Sequence, residues 1–194
     1  MDARPKGPWM EAGREAGLVR SAQRGDLDAM LGLMRYYQRP LWRLCFAFTC
    51  DIVEAERMAQ DAGRRALRNL RQLPAGQPFY PWLARLARTL AVTRARRGTS
   101  NGRDRREGHL RRPNGEGWSS GKLGAHHIEY EQKVLDAFSD LAPEDRMLLA
   151  LRLFERLPYA EIATISGLAL APTMHRIAAL REKIELAARD EKAA

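Results

Sequence analysis

The chain has 194 residues, with 33 Lys and Arg against 24 Asp and Glu, a net charge of +9 and an apolar share of 45%. So large an apolar share fills real cores and excludes disorder throughout, while the positive balance favours a polyanionic partner, either nucleic acid or an anionic membrane surface. The apolar runs at 148–154 and 162–171 are too short to cross a bilayer, the first contains Arg152, and residues 1–13 lack the apolar core of a secretory signal. A cytoplasmic protein without a membrane partner is therefore expected.

Helical periodicity dominates, and no stretch alternates apolar and polar residues over strand length between turn signals. The expected fold class is all-α. Residues 98–128 break the pattern, combining Gly, Ser, Asn and Arg with almost no aliphatic side chains, which reads as a flexible basic linker. Two small helical domains remain, at 14–97 and 129–190, pictured as separate lobes on a loose tether.

In the first block, Gly25-Asp26 interrupts a helix begun near Leu18, and Asp26 caps a new one with Leu27, Met30, Leu31 and Met34 on its apolar side. Pro40 marks a kink or short break, after which Leu41, Leu44, Cys45 and Phe48 continue the stripe. Asp51, with Glu54 three residues on, has capping-box spacing for a third helix that ends before Pro74. After the turn-rich stretch 73–78, a helix carrying Trp82, Leu83, Leu86 and Leu90 runs into Arg94, Arg96 and Arg97. Cys45 and Cys50 point in different directions on one helix, so they are expected as small buried apolar residues; a disulfide, or a zinc site with His126 and His127, is disfavoured.

The second block begins with a helix from about Glu129 to Asp140, followed by three helix starts signalled by Pro143, Pro158 and Pro172. Gly167 is placed to end the middle, short helix as its left-handed cap. A short helix, a tight turn with glycine and a longer helix make a helix-turn-helix signature. On the longer helix Ile177, Leu180 and Ile184 form the inward stripe, leaving His175, Arg176, Ala179 and Lys183 on faces that can enter a major groove.

Two constellations carry chemistry. Over 79–97, Arg85, Arg88, Arg94, Arg96 and Arg97 supply charge for phosphates beside Phe79, Tyr80 and Trp82, aromatics able to stack on bases, a combination suited to single-stranded DNA. The plainer reading makes Trp82 core, because it shares a face with Leu86 and Leu90. On the last helix Arg176 is the best candidate for a base edge or a nearby phosphate, supported by Thr173, His175 and Lys183, while Arg152 fits a contact to the DNA backbone or a solvated face nearly equally. No phosphate loop, paired-His metal motif or nucleophile elbow occurs, so no catalytic residue, metal or cofactor is expected.

Four segments in order, 54–61 (Glu-Ala-Glu-Arg-Met-Ala-Gln-Asp), 79–88 (Phe-Tyr-Pro-Trp-Leu-Ala-Arg-Leu-Ala-Arg), the pair Arg96-Arg97, and 141–163 from Leu-Ala-Pro to Glu-Ile-Ala, resemble the extracytoplasmic-function sigma factors of bacteria. The likeness covers nearly the whole chain. It implies a transcription initiation factor whose first domain binds RNA polymerase core, through the beta and beta-prime subunits, and the minus-ten promoter element, and whose second binds the minus-thirty-five element. Asp51, Glu54, Glu56, Met58, Gln60 and Asp61 become the polymerase-binding set. Phe79, Tyr80, Trp82 and the arginines at 85, 88, 94, 96 and 97 become the minus-ten set, with a base captured in the loop at about 73–79. Arg152, Thr173, His175, Arg176 and Lys183 become the minus-thirty-five set.

The resemblance further implies an association with the nucleoid and allows an anti-sigma partner. The chain departs from the family at Arg57, where an acid is usual, at Gly63, where Phe is usual, at Thr89 and Thr93, where Asn and Asp are common, and in the run 171–176. These departures keep a second reading open, a sigma-derived DNA-binding regulator that does not open promoters. A third makes both bundles protein-interaction modules, with the positive charge serving non-specific contacts.

Overall fold

The computed structural model describes residues 10–100 and 134–189, without the side chains of 96–100 and 188–189. Every regular element among them is helical: α1 (Ala12–Gln23), α2 (Leu27–Thr49), α3 (Ile52–Asn69) with a 3-10 turn at Leu70–Gln72, α4 (Phe79–Ser100), α5 (134–139), α6 (Pro143–Leu153), α7 (Tyr159–Ser166) and α8 (Leu170–Arg189).

The helix ends follow local chemistry. Glu11 caps α1 by accepting from the Gly13 and Arg14 amides, so this helix starts at Ala12, earlier than the expected Leu18. Asp26 caps α2 through the Ala29 amide at 3.1 Å, and Asp51 caps α3 through the Glu54 amide at 2.8 Å. Pro143 opens α6 at its first position, while Pro158 stands one residue before α7 and Pro172 in the first turn of α8. Gly167 closes α7 at φ +70°, a left-handed conformation that a side chain strains. Sequence and local structure agree at Asp26, Asp51, Pro143, Pro172 and Gly167.

Four expectations need correction. α2 runs unbroken through Pro40, and the hydroxyl of buried Tyr80 donates to the Pro40 carbonyl at 3.2 Å. The buried face of α2 is Ala29, Leu33, Tyr37, Leu41, Leu44, Cys45 and Phe48; Met30 and Met34 pack at its edge, whereas Leu27 and Leu31 face solvent. Choosing Leu27 and Leu31 put the stripe one face too far round, because Ala29, Leu33 and Tyr37 carry the packing instead. α4 extends three residues past the boundary drawn at 97; the rest of the expected linker, and the start of the helix expected from Glu129, lie outside the described residues.

The fourth correction concerns the separate lobes. α2 packs against α6 and α4 against α7, and the buried side chains of both blocks form one continuous cluster from Met10 to Leu180. Two polar contacts hold this junction. Arg43 of α2 makes a bidentate pair with Glu155, at 2.7 and 3.1 Å, and Glu155 is 1% exposed. Arg146 of α6 is also buried, its guanidinium donating to the Ala47 and Phe48 carbonyls of α2 and to those of Ser139 and Leu141. The last turn of α2 has no basic residue of its own, so a side chain from the other block caps its C-terminal carbonyls.

Within the first block, the Tyr37 hydroxyl donates to Glu15 at 2.6 Å in the core, which ties α1 to α2; burial and this carboxylate hold the phenol well above its ordinary pKa range. Cys45 and Cys50 are free and buried, as expected, and burial pushes the Cys45 thiol up to about 12. Gly63, buried on α3, sits where α2 approaches: a Cβ there would meet the Met34 terminal methyl at 3.0 Å. No described helix is long and apolar enough to cross a membrane.

Candidate polymerase and nucleic-acid interface

α3 is anchored through Ala55, Met58, Ala62, Gly63 and Ala66, and its remaining faces carry charge. Asp51, Glu56 and Gln60 are exposed. Met58, expected as a contact residue, is 1% exposed and belongs to the core, since its position repeats at helical spacing with Ala55 and Ala62. Glu54 and Asp61 are half-buried and committed: Arg57 donates to Glu54, Arg64 to Asp61, and Arg94 of α4 pairs with both acids. One arginine from the expected DNA set thus sits between two acids from the expected polymerase set, and the two surfaces are physically continuous.

The Asp61 carboxyl is held below its usual range chiefly by the hydrogen bond from Arg64, which outweighs the opposing effect of burial, with Arg94 adding to the lowering. A carboxylate depressed in the folded state stabilises the fold fully above its unfolded pKa, near 3.8, and loses that contribution as pH falls through the lower folded value. Asp61→Asn is therefore expected to flatten the acid limb of a thermal-midpoint profile in the window below the unfolded carboxyl's pKa, near 3.8. An unchanged slope over that window contradicts the assigned pairing.

On α4 the structure divides the expected set. Phe79 and Tyr80 are buried, in ring contact with Tyr37, because the start of α4 closes the bundle and both side chains face α2. Neither can stack on a base as placed. Trp82 is 8% exposed and belongs to the same core, in ring contact with Phe79, which supports the plainer reading of it. Its remaining surface borders an open cleft of about 370 Å³, lined also by Gln72, Pro74, Gln77, Arg85, Leu86 and Thr89. Arg85 donates to the Gln77 side-chain oxygen at 3.2 Å, which fixes the rim.

Gln72 and Gln77 were not among the expected residues; the turn residues Pro74 and Gly76 were the available signal that a loop here could present polar groups. Thr89 and Thr93, two of the family departures, spend their hydroxyl protons on their own helix, bonding the carbonyls of Arg85 and Thr89. Arg88 is half-buried, with its Nη1 4.0 Å from where a Cβ on Gly167 would lie. The side chains of Arg96 and Arg97 lie outside the described residues.

In the helix-turn-helix, Ile177 and Leu180 are buried while His175, Arg176, Ala179 and Lys183 are exposed on one length of α8. Arg176 pairs with Asp145 of α6 and keeps 47% of its side chain exposed. Thr173, expected at the DNA, is fully buried and donates to the Ala169 carbonyl, closing the first turn of α8 from inside. Arg152 is engaged within its own block, bonding the Leu157 carbonyl and lying 4.5 Å over the Tyr159 ring. No group of three potential metal ligands occurs among the described residues.

A cationic helix beside a polar cleft, a helix of mixed charge joined to it by ion pairs, and a helix-turn-helix with an exposed arginine define an all-helical protein with two charged surfaces. Comparison with known proteins makes this specific. Residues 33–100 match the family model described as Sigma-70 region 2. The chain is 32% identical over 179 residues to the RNA polymerase sigma-H factor of Pseudomonas aeruginosa, covering 88% of this chain and 91% of that one. It is 30% identical over 79 residues to the ECF RNA polymerase sigma factor SigW of Bacillus subtilis, 42% of that protein's length.

Solved structures with the same fold include CnrH in complex with the cytosolic domain of CnrY, at TM-score 0.66 and 17% identity over 92% of this chain and 99% of that one. The sigma factor RpoE, in complex with the anti-sigma factor NepR from Bartonella quintana, matches at TM-score 0.66 and 17% identity over 82% of this chain and 96% of that one. The chain belongs to the extracytoplasmic-function sigma factors, and its function is that of an RNA polymerase sigma factor. The family is one of non-enzymatic transcription initiation factors.

Proposed function

We propose that this sigma factor recruits core polymerase through the exposed face of α3 and reads two promoter elements with α4 and α8, without catalysing a reaction itself. The division into 14–97, a linker at 98–128 and 129–190 is part of this proposal. So are a cytoplasmic, nucleoid-associated location, promoter DNA as ligand, the beta and beta-prime subunits as polymerase partners, and an anti-sigma factor as a further partner. The observation that carries the reading is the Arg94 bridge to Glu54 and Asp61, which joins two acids of α3 to the arginine-rich α4 in a single continuous surface.

On the first surface Asp51, Glu56 and Gln60 make the primary contacts with polymerase, and Glu54 and Asp61 hold the shape. On the second, the cleft at Gln72, Gln77, Trp82 and Arg85 takes one unstacked base, while Arg88, Arg96 and Arg97 track phosphates and Arg94 holds the junction with α3. A stacked base contributes roughly 1–3 kcal/mol, comparable with the cost of unstacking it. In the helix-turn-helix, Arg176, His175 and Lys183 face the major groove of the minus-thirty-five element.

The test is to mix the purified chain with core polymerase and a promoter library and to map permanganate-reactive thymines. Opened DNA is expected on a subset of promoters. Core binding without opening would select the regulator reading instead.

A further inference from the structure

We infer that the cleft beside α4 selects a keto base, guanine or thymine, over the amino bases adenine and cytosine, and that Gln77, held by Arg85, is the group that makes the distinction. The inference rests on the proposed capture of an unstacked base in this cleft and deepens it. It follows from which hydrogen-bonding atoms around the cleft are already spent and which stay free.

The pair at the rim has only one possible orientation. A guanidinium can only donate, so the 3.2 Å bond from Arg85 turns the Gln77 side-chain oxygen toward the arginine and leaves the Gln77 NH2 group as the free end of an exposed amide that lines the cleft. Arg85 spends one N–H on this bond and keeps the others. The rim is therefore rich in donors.

Acceptors are scarce. None of the described residues lining the cleft is acidic. The Thr89 hydroxyl has given its proton to the Arg85 carbonyl at 2.9 Å, so toward a ligand it can only accept. In the turn that forms the other wall, the Leu70 and Leu73 carbonyls accept from the Gln23 side-chain amide at 3.1 and 2.8 Å, and the Pro74 carbonyl accepts from the Gln77 backbone N–H at 3.2 Å. Among the side chains, Thr89 and the Gln72 amide, which can present either end, are the acceptors left to a ligand.

A base held here must bring acceptors of its own. Guanine offers O6 beside N7. Thymine offers O4 and O2 on either side of an N3–H that the Thr89 oxygen suits. Adenine N6 and cytosine N4 are amino groups, and against Gln77 or Arg85 they set donor against donor, leaving both sides unpaired. The cleft is open, so water recovers part of that loss, and the expected selection is about tenfold rather than the far larger factor of an enclosed site.

The test uses the full chain bound to core polymerase, with core alone as the blank. The probes are single strands of abasic sugars carrying one base, in turn guanine, thymine, adenine or cytosine, beside a wholly abasic strand. The guanine and thymine probes are expected to bind about tenfold tighter than the adenine and cytosine probes. Gln77→Glu keeps one oxygen for Arg85 and puts a second where the NH2 group stood, so the order within that variant is expected to reverse, whatever the added charge does to all probes alike. Gln77→Ala is expected to shrink the preference without reversing it.

The guanine and thymine arms show which keto base the cleft accommodates, and a gain in either that Gln77→Glu reverses supports the selection. Four equal affinities above that of the abasic strand, or tighter binding of adenine or cytosine, overturns the selection and leaves base capture standing. An unchanged order in Gln77→Glu overturns the role given to Gln77. Base-bearing probes that bind no better than the abasic strand overturn base capture itself, and the selection with it.

Discussion

Replacing Arg146 with methionine is expected to lower the unfolding free energy by about 3–5 kcal/mol, the largest stability loss of any single change at the junction. The side chain is 7% exposed and its guanidinium serves the carbonyls of Ala47, Phe48, Ser139 and Leu141. Methionine fills similar space but donates nothing, so each carbonyl must find water or remain bare. Lysine is expected to recover only part of the loss, because one ammonium cannot span the donor positions of a planar fork. Urea unfolding followed by helicity measures the difference, and a loss under about 1 kcal/mol for methionine would contradict the capping role.

Arg176→Ala is expected to reduce occupancy of cognate promoters by roughly 10- to 100-fold, the equivalent of about 1–3 kcal/mol per bidentate arginine–guanine contact, with little change on unrelated DNA. Arg176 is paired with Asp145, so the guanidinium is held against α6 and must exchange a carboxylate for a base. Asp145→Asn, which removes the competitor, is expected to tighten binding to all sequences. Competition binding against cognate and scrambled duplexes reads both effects. Equal losses on both DNAs for Arg176→Ala would assign it to the phosphates.

Much of the fold was legible because its signals are local. Asp26, Asp51, Pro143 and Gly167 each act within one turn of their own position, and each ends or begins a helix as its chemistry dictates. The face of α2 was misjudged where packing is carried partly by residues that are not large aliphatics, Ala29 and Tyr37. The aromatics of α4 were ambiguous for a similar reason. Phe79 and Tyr80 suit a base stack or a core equally well, and only the path of α2 decides, through the Tyr80 hydroxyl and the Pro40 carbonyl.

Long-range ion pairing left no trace in spacing. Arg94 read as one more arginine of a basic run, yet it meets Glu54 and Asp61 on another helix. Glu155 and Arg146 belonged to a stretch whose resemblance suggested DNA binding, and neither announced a partner about a hundred positions earlier. The candidate surface was therefore visible as a set of helices, whereas the sharing of charges between them was not.

The capping of α2 by Arg146 also bears on how the chain matures. The bond from Arg146 to the Ala47 carbonyl joins residues 99 positions apart. At synthesis rates of about 5–20 residues per second, the ribosome spends roughly 5–20 s between making the two. During that interval the nascent amino-terminal helices have their hydrophobic interior but an unfinished end at Thr49. Until Arg146 has been translated, water must serve the carbonyls of Ala47 and Phe48.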